Sequence, residues 1–180
     1  MSKRKVFYSF HYENDVMRVQ QIRNMGVFQG DCKVFPNEWE QVKCRTDSEI
    51  KKWIDANMQY RSCVIVLIGE HTAKMKWVKY EIKKDWKEGR PLLGTYINNL
   101  KCPRKGACPK GKNPFGRFLL EDGKTLADFI PCYEPDSENA YTDIKNNLPF
   151  WIETAISNAK MTMRITKALN VNTEVRLKVA

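Results

Sequence analysis

The sequence predicts a doubly wound α/β domain with a mostly parallel sheet, and three features carry that reading. Strand-like and helix-like segments alternate through the first hundred residues, which implies right-handed βαβ units. The run "CVIVLIG" (63–69) is apolar throughout, as a strand covered on both faces must be. The segments between strands carry apolar residues at helical spacing. In sheets of this kind ligands bind beyond the carboxyl ends of the strands.

The first strand is "KVFYSF" (5–10), short and rich in aromatic and β-branched residues. Asn14 or Asp15 is positioned to cap the helix that follows, whose Val16, Val19, Ile22 and Met25 recur at intervals of three. Residues 26 to 45 are irregular, with "VFPNEWE" the place for a short strand and loop. "TDSE" (46–49) has the form of a capping box, Thr46 with Glu49, opening a helix that buries Ile50, Trp53, Ile54 and Met58. The strand 63–69 comes next, then a helix from about 75 to 88 stopped by Gly89. "PLLGTYIN" (91–98) is a further strand. The loops "SFHYEN" and "GEHT", which leave the first and central strands, are the candidate site loops.

Beyond Asn98 the pattern weakens. "KCPRKGACPKGKNPFG" is a loop rich in Gly, Pro and Lys, and "LEDGK" reads as a turn. Pro149 suits the first turn of a last helix, about 148–160, with Trp151, Ile152, Ala155 and Ile156 on its buried face. The final twenty residues alternate weakly and read as a strand pair or a tail. The organisation expected is an α/β domain over residues 1–130 and a less regular C-terminal extension, 131–180, packed on the same domain.

Composition narrows the function classes. With 42% hydrophobic and 11% aromatic residues the chain is globular rather than disordered. No apolar run approaches a bilayer span and "MSKRKVFYSF" lacks a signal-peptide pattern, so a cytoplasmic protein is expected. The net charge of +10 suits nucleic acid or an anionic small molecule equally well, because the basic residues are spread along the chain. No nucleic-acid-binding signature accompanies them. Six cysteines form no CxxC pair, and "CPRKGAC" has neither the spacing nor the histidine of a zinc site. No metal and six free thiols are expected.

"GACPKGKN" (106–113) nearly matches a phosphate-binding P-loop, yet Asn113 stands where the magnesium-holding Ser or Thr should be. Pro109 and Pro114 predict that no helix starts there to receive phosphates. No GxGxxG is present, which removes support for the classical dinucleotide fingerprint.

The sharpest local signal lies in "KMKWVKYEIKKDW" (74–86). Taking Trp77 as origin and about 100° per residue, Glu81 falls at about 40° and Asp85 at about 80°, on the arc of Val78, Ile82 and Trp86. The lysines from Lys76 to Lys87 occupy the other semicircle. An acid on the packed side must be paired, hydrogen-bonded or open to a cleft. Trp77 and Glu81, four residues apart, share a face, so the indole can wall a pocket into which the carboxylate points. His11 and His71 each follow a strand and can share that cleft.

"WxxxE" after a strand and short loop resembles the catalytic motif of TIR domains. The wider series resembles the Thoeris antiphage TIR family: "FYSFHYEND", "RVQQIRN", "NEWE", "VIVLIGEHT", "KWVKYEI", "LLGTYIN" and "KGKNPFG", in that order, covering residues 5 to 125. The resemblance implies a flavodoxin-like fold and an enzyme that cleaves the nicotinamide–ribose bond of NAD. Its product would be a signalling nucleotide, a cyclic ADP-ribose isomer or an ADP-ribose conjugate, acting on a separate effector protein. It further implies self-association, a phage-derived activator, and no cofactor, NAD being the substrate. By position Glu81 is the catalytic acid. Ser9, Phe10, His11, Asn24, Trp39 and Trp77 match family positions and are the expected substrate-binding residues. The alternatives are a non-catalytic TIR-like scaffold and a nucleic-acid-binding protein.

Overall fold

The computed structural model describes residues 4–27, 42 and 44–169, with backbone alone for 161–169 and 176–177. Its central sheet has four parallel strands in the order β1-β2-β3-β5: β1 (Val6–Ser9), β2 (Cys63–Ile68), β3 (Leu92–Tyr96) and β5 (Cys132–Tyr133). Val6 pairs with Cys63 and Ser9 with Val66, so β1 and β2 begin together and β2 runs on to Ile68. Every residue of β2 is buried. Parallel pairing on both sides with helices on both faces explains that continuous apolar run.

The side-chain parity of the strands sorts the core into two layers. Val6 and Tyr8, with Cys63, Ile65 and Leu67, face α1 (Tyr12–Asn24) and the last helix, α4 (Ala140–Leu169). Phe7, Val64, Val66 and Ile68 face α2 (Asp47–Met58) and α3 (Lys76–Lys87). This is the doubly wound arrangement, and burying each large aliphatic side chain contributes about 1.5–3 kcal/mol. The capping box at Thr46 and Glu49 is present, and Gly89, at φ +66°, follows the end of α3.

Three local expectations differ from the fold. Asn14 and Asp15 lie inside α1 rather than capping it; the N-cap is His11, whose side chain makes no capping bond. The last helix begins at Ala140, so Pro149 sits within it instead of opening it. An interior proline costs about 3 kcal/mol, which is offset by Ile144, Leu148, Trp151 and Ile152, all buried against the sheet. Trp151 also stacks on Tyr133 of β5, centroids 4.4 Å apart. At Pro114 a helical turn does start, a single 3-10 turn over Pro114–Arg117 in which Asn113 accepts from the Phe115 amide. A short antiparallel pair joins β4 (Phe118–Leu119) to β6 (Arg176–Leu177). The segment "VFPNEWE" lies outside the described residues.

Candidate active site

The site forms where the first strand ends. In β1, Phe7 and Ser9 point to the α2–α3 side while Tyr8 points to the other, because successive strand side chains alternate faces. Ser9 therefore meets α3, and it is 1% exposed. On α3 the residues that bury are Val78, Glu81, Ile82 and Asp85, the arc expected from the helical wheel. The two periodicities converge on one contact, in which the Ser9 hydroxyl donates to Glu81 Oε2.

Glu81 is 7% exposed and lines a cavity of about 260 Å³. Phe10 and His11 supply the strand-end wall, Trp77 and Met75 the α3 wall, and Trp53 of α2 the third side. Helix α3 is fixed against α2 by Tyr80, which donates to Asp55 Oδ1 at 2.9 Å. Lys84 lies 3.3 Å from the same carboxylate. This clamp holds Trp53 and Trp77 on one cavity rather than on separate surfaces.

Burial pushes the Glu81 carboxyl up to about 8; the Ser9 hydroxyl opposes that rise and the Asp85 charge adds to it. Free of ligand at neutral pH, the carboxyl is largely protonated, and a cation entering the cavity favours its ionised form. His11 is held below its ordinary value by burial, so its imidazole is neutral at pH 7. Its Nδ1 is buried without a hydrogen-bond partner among the described residues, leaving that atom open to a ligand.

Asp85 is fully buried. Arg90 Nε lies 2.8 Å from Asp85 Oδ1, off the direction of a hydrogen bond. The contact is a close ion pair, and burial still pushes this carboxyl up to about 7. Asp15 is a third buried acid, unseen in the sequence as a core residue. It lies 3.2 Å from Arg18 Nη1. Arg18 also donates to the Leu100 and Gly106 carbonyls, each at 2.9 Å. A Cβ on Gly69 would come within 2.2 Å of Asp15 Oδ2, so only glycine lets the end of β2 pass over this pair.

Of the residues expected at the site, Phe10, His11, Trp77 and Glu81 line the cavity and Ser9 stands behind Glu81. Asn24 does not join them: it is exposed at the far end of α1, accepting from Gln20. Trp39 lies outside the described residues. His71 stands with its ring 6.2 Å from that of His11 but does not line the cavity. Trp53 and Met75 were missed as site residues. Trp53 reads in the sequence as an ordinary core position of α2, and only the packing of α2 on α3 turns its indole to the cavity. Among the described residues no group of three or more His, Cys, Asp or Glu side chains could hold a metal ion. No helix among them is long and apolar enough to cross a membrane.

The family model described as "Thoeris protein ThsB, TIR-like domain" matches residues 7–102, which span β1 through the end of β3 and hold every described residue of the cavity. The chain belongs to the ThsB TIR-like family. A Bacillus cereus (strain MSX-D12) protein named "Putative cyclic ADP-D-ribose synthase ThsB1" is 37% identical to it over 134 residues, 70% of this chain and 69% of the relative. The order of the strands, the helices on both faces and this match agree on a TIR-like, flavodoxin-like α/β fold.

Proposed function

We propose that this protein cleaves the nicotinamide–ribose bond of NAD and converts the ADP-ribosyl part into a signalling nucleotide for antiphage defence. The observation that carries the reading is Glu81, a buried carboxyl in a cavity wall that among the described residues has a serine hydroxyl and no basic group as its partner. The printed name of the Bacillus relative supports the same reaction class.

A single carboxylate suffices for this chemistry. Glycosidases ordinarily need a second acid to protonate an alkoxide leaving group, whereas nicotinamide departs neutral from a cationic ring nitrogen. The charge that develops is an oxocarbenium ion on the ribose, and a fixed carboxylate in a water-poor wall stabilises it. Ser9 holds one Glu81 oxygen and leaves the other for the ribose. Trp77, Trp53 and Phe10 offer flat apolar faces to the nicotinamide ring, and His11 Nδ1 is available to a ribose hydroxyl. Capture of the cation by a nucleophile of the same ADP-ribose gives a ring, a cyclic ADP-ribose isomer; capture by another acceptor gives an ADP-ribose conjugate.

In the same reading the protein works in the cytoplasm, self-associates and answers a phage-derived activator, and its product acts on a separate effector. The test is NAD consumption and product chromatography for concentrated protein, with and without phage-infected lysate. Glu81→Gln keeps the shape and removes the charge, and turnover should fall by about 10²-fold or more, as for loss of one preorganised electrostatic group. Full turnover by a folded E81Q protein would overturn the catalytic assignment. A parent that consumes no NAD in either condition but self-associates would favour the scaffold reading.

A further inference from the structure

The cavity of about 260 Å³ is smaller than the roughly 300–1,000 Å³ of pockets that enclose a whole small molecule. On the reading above, it holds the nicotinamide and its ribose, and the phosphates emerge at its rim. Two charged groups besides Glu81 stand among the described lining residues. One is Glu13 on the α1 side, which repels a phosphate. The other is Lys76 on the α3 side, the one lysine or arginine among them.

We propose that Lys76 is the pyrophosphate-binding residue of the site, taking the 5′-phosphate of the dinucleotide while Glu81 faces the ribose carbon that loses nicotinamide. The proposal rests on the NAD-cleaving reading and names the subsite it leaves open. Five residues separate Lys76 from Glu81 by about 7.5 Å of rise along α3 and about 140° of rotation, which sets the lysine at the rim while the carboxylate faces inward. The ammonium is held beside a wall of the cavity. It pairs with Asp47 of α2 and lies 4.9 Å from the centre of the Trp77 ring, the indole that walls the cavity.

The Asp47 pair does not compete strongly with such a ligand. Both side chains are 62% exposed, and an exposed ion pair of this kind contributes little to stability. A pyrophosphate presents more negative charge and more acceptor oxygens than one carboxylate, so it displaces Asp47 while the lysine stays in place. Asp47 then acts as a holder that fixes the direction of the Lys76 side chain in the empty site.

Lys76→Met, Lys76→Arg and Asp47→Asn separate a ligand role from a structural one, because both K76M and D47N break the same ion pair. The measurement is KM and kcat for NAD, with melting temperature to confirm the fold. The expected result is a KM about tenfold higher for K76M, the size of one charge-assisted contact, with kcat within about twofold. K76R should return KM to near the parent value, and D47N should leave it unchanged or lower it. An unaltered KM in K76M, or equal rises in K76M and D47N, would overturn the proposal while leaving the NAD-cleaving reading intact. A parent without NAD turnover under any condition would overturn both.

Discussion

Helices α1 and α3 each bury acids on the side that packs, yet they solve the problem differently. On α1, Asp15 is answered by Arg18 one turn on, whose guanidinium also serves the Leu100 and Gly106 carbonyls. On α3, Asp85 is answered by Arg90 just beyond the helix. Glu81, one turn before Asp85, is answered among the described residues only by the Ser9 hydroxyl and opens on a cavity. Removing a charge from water is costly unless an opposite charge is at hand. The two acids with arginines bind parts of the fold together; the acid for which the described residues supply none is the one proposed to react. The contrast also explains why burial alone is a poor guide to function here, since the two structural acids are the more completely buried.

The largest expected effect on that contrast is the loss of about 10²-fold or more in turnover for E81Q, with the fold kept. The opposite outcome is expected at the structural pair. Arg18→Met leaves Asp15 without its partner beneath the Gly69 backbone, and breaking a buried pair from one side costs about 3–5 kcal/mol. Urea denaturation should show that loss, while the R18M protein that remains folded at low temperature keeps NAD turnover near the parent's. Turnover lost without any loss of stability would place Asp15 and Arg18 in the site and erase the distinction.

A pH series sharpens it further. The ionised form of Glu81 stabilises the cation, so kcat/KM for NAD should rise with pH through about 8. Stability should move the other way. The Glu81 carboxyl is raised in the folded protein from an ordinary 4.5 to about 8, so the folded state holds a proton that the unfolded state releases. Its contribution is intact below about 4.5 and lost progressively up to about 8. E81Q has no such loss. Its melting temperature should match the parent's near pH 4.5 and exceed it by several degrees at pH 8.5. Asp15 and Asp85 are present in both proteins and drop out of the difference. An E81Q advantage that is constant with pH would mean that Glu81 does not titrate as its surroundings demand.

The smallest effect belongs to Asp85→Asn. It removes the charge facing Arg90 but is not itself a lining residue, so NAD turnover should change by a few-fold at most, beside a measurable loss of stability. A drop as large as that of E81Q would make the two acids a catalytic pair.

Much of this was legible in the residues themselves. The six-residue apolar run of β2, the Thr46–Glu49 capping box and the position of Glu81 and Asp85 on the apolar arc of α3 follow from periodicity and local hydrogen bonding, which act over a few neighbours. So does the face of Ser9, once β1 is read with period two. Pro149 misled because a proline rule is local, while the burial that carries α4 past it is not. Asn24 matched a family position, yet α1 runs for thirteen residues and carries it away from the strand ends where the cavity lies.

Sequence alone determined the class of fold and the strand and helix that supply Ser9 and Glu81, and its resemblance to a family suggested the chemistry proposed for that acid. Only the tertiary structure decided which acids are buried with an arginine, since Arg90 reaches Asp85 from beyond the helix end, and Arg18, one turn from Asp15, is fixed by the Leu100 and Gly106 carbonyls. It also decided that Trp53 joins the site and where Lys76 is held. Those outcomes depend on how α2 and α3 pack on one face of the sheet, and contacts across such an interface leave no period in the chain.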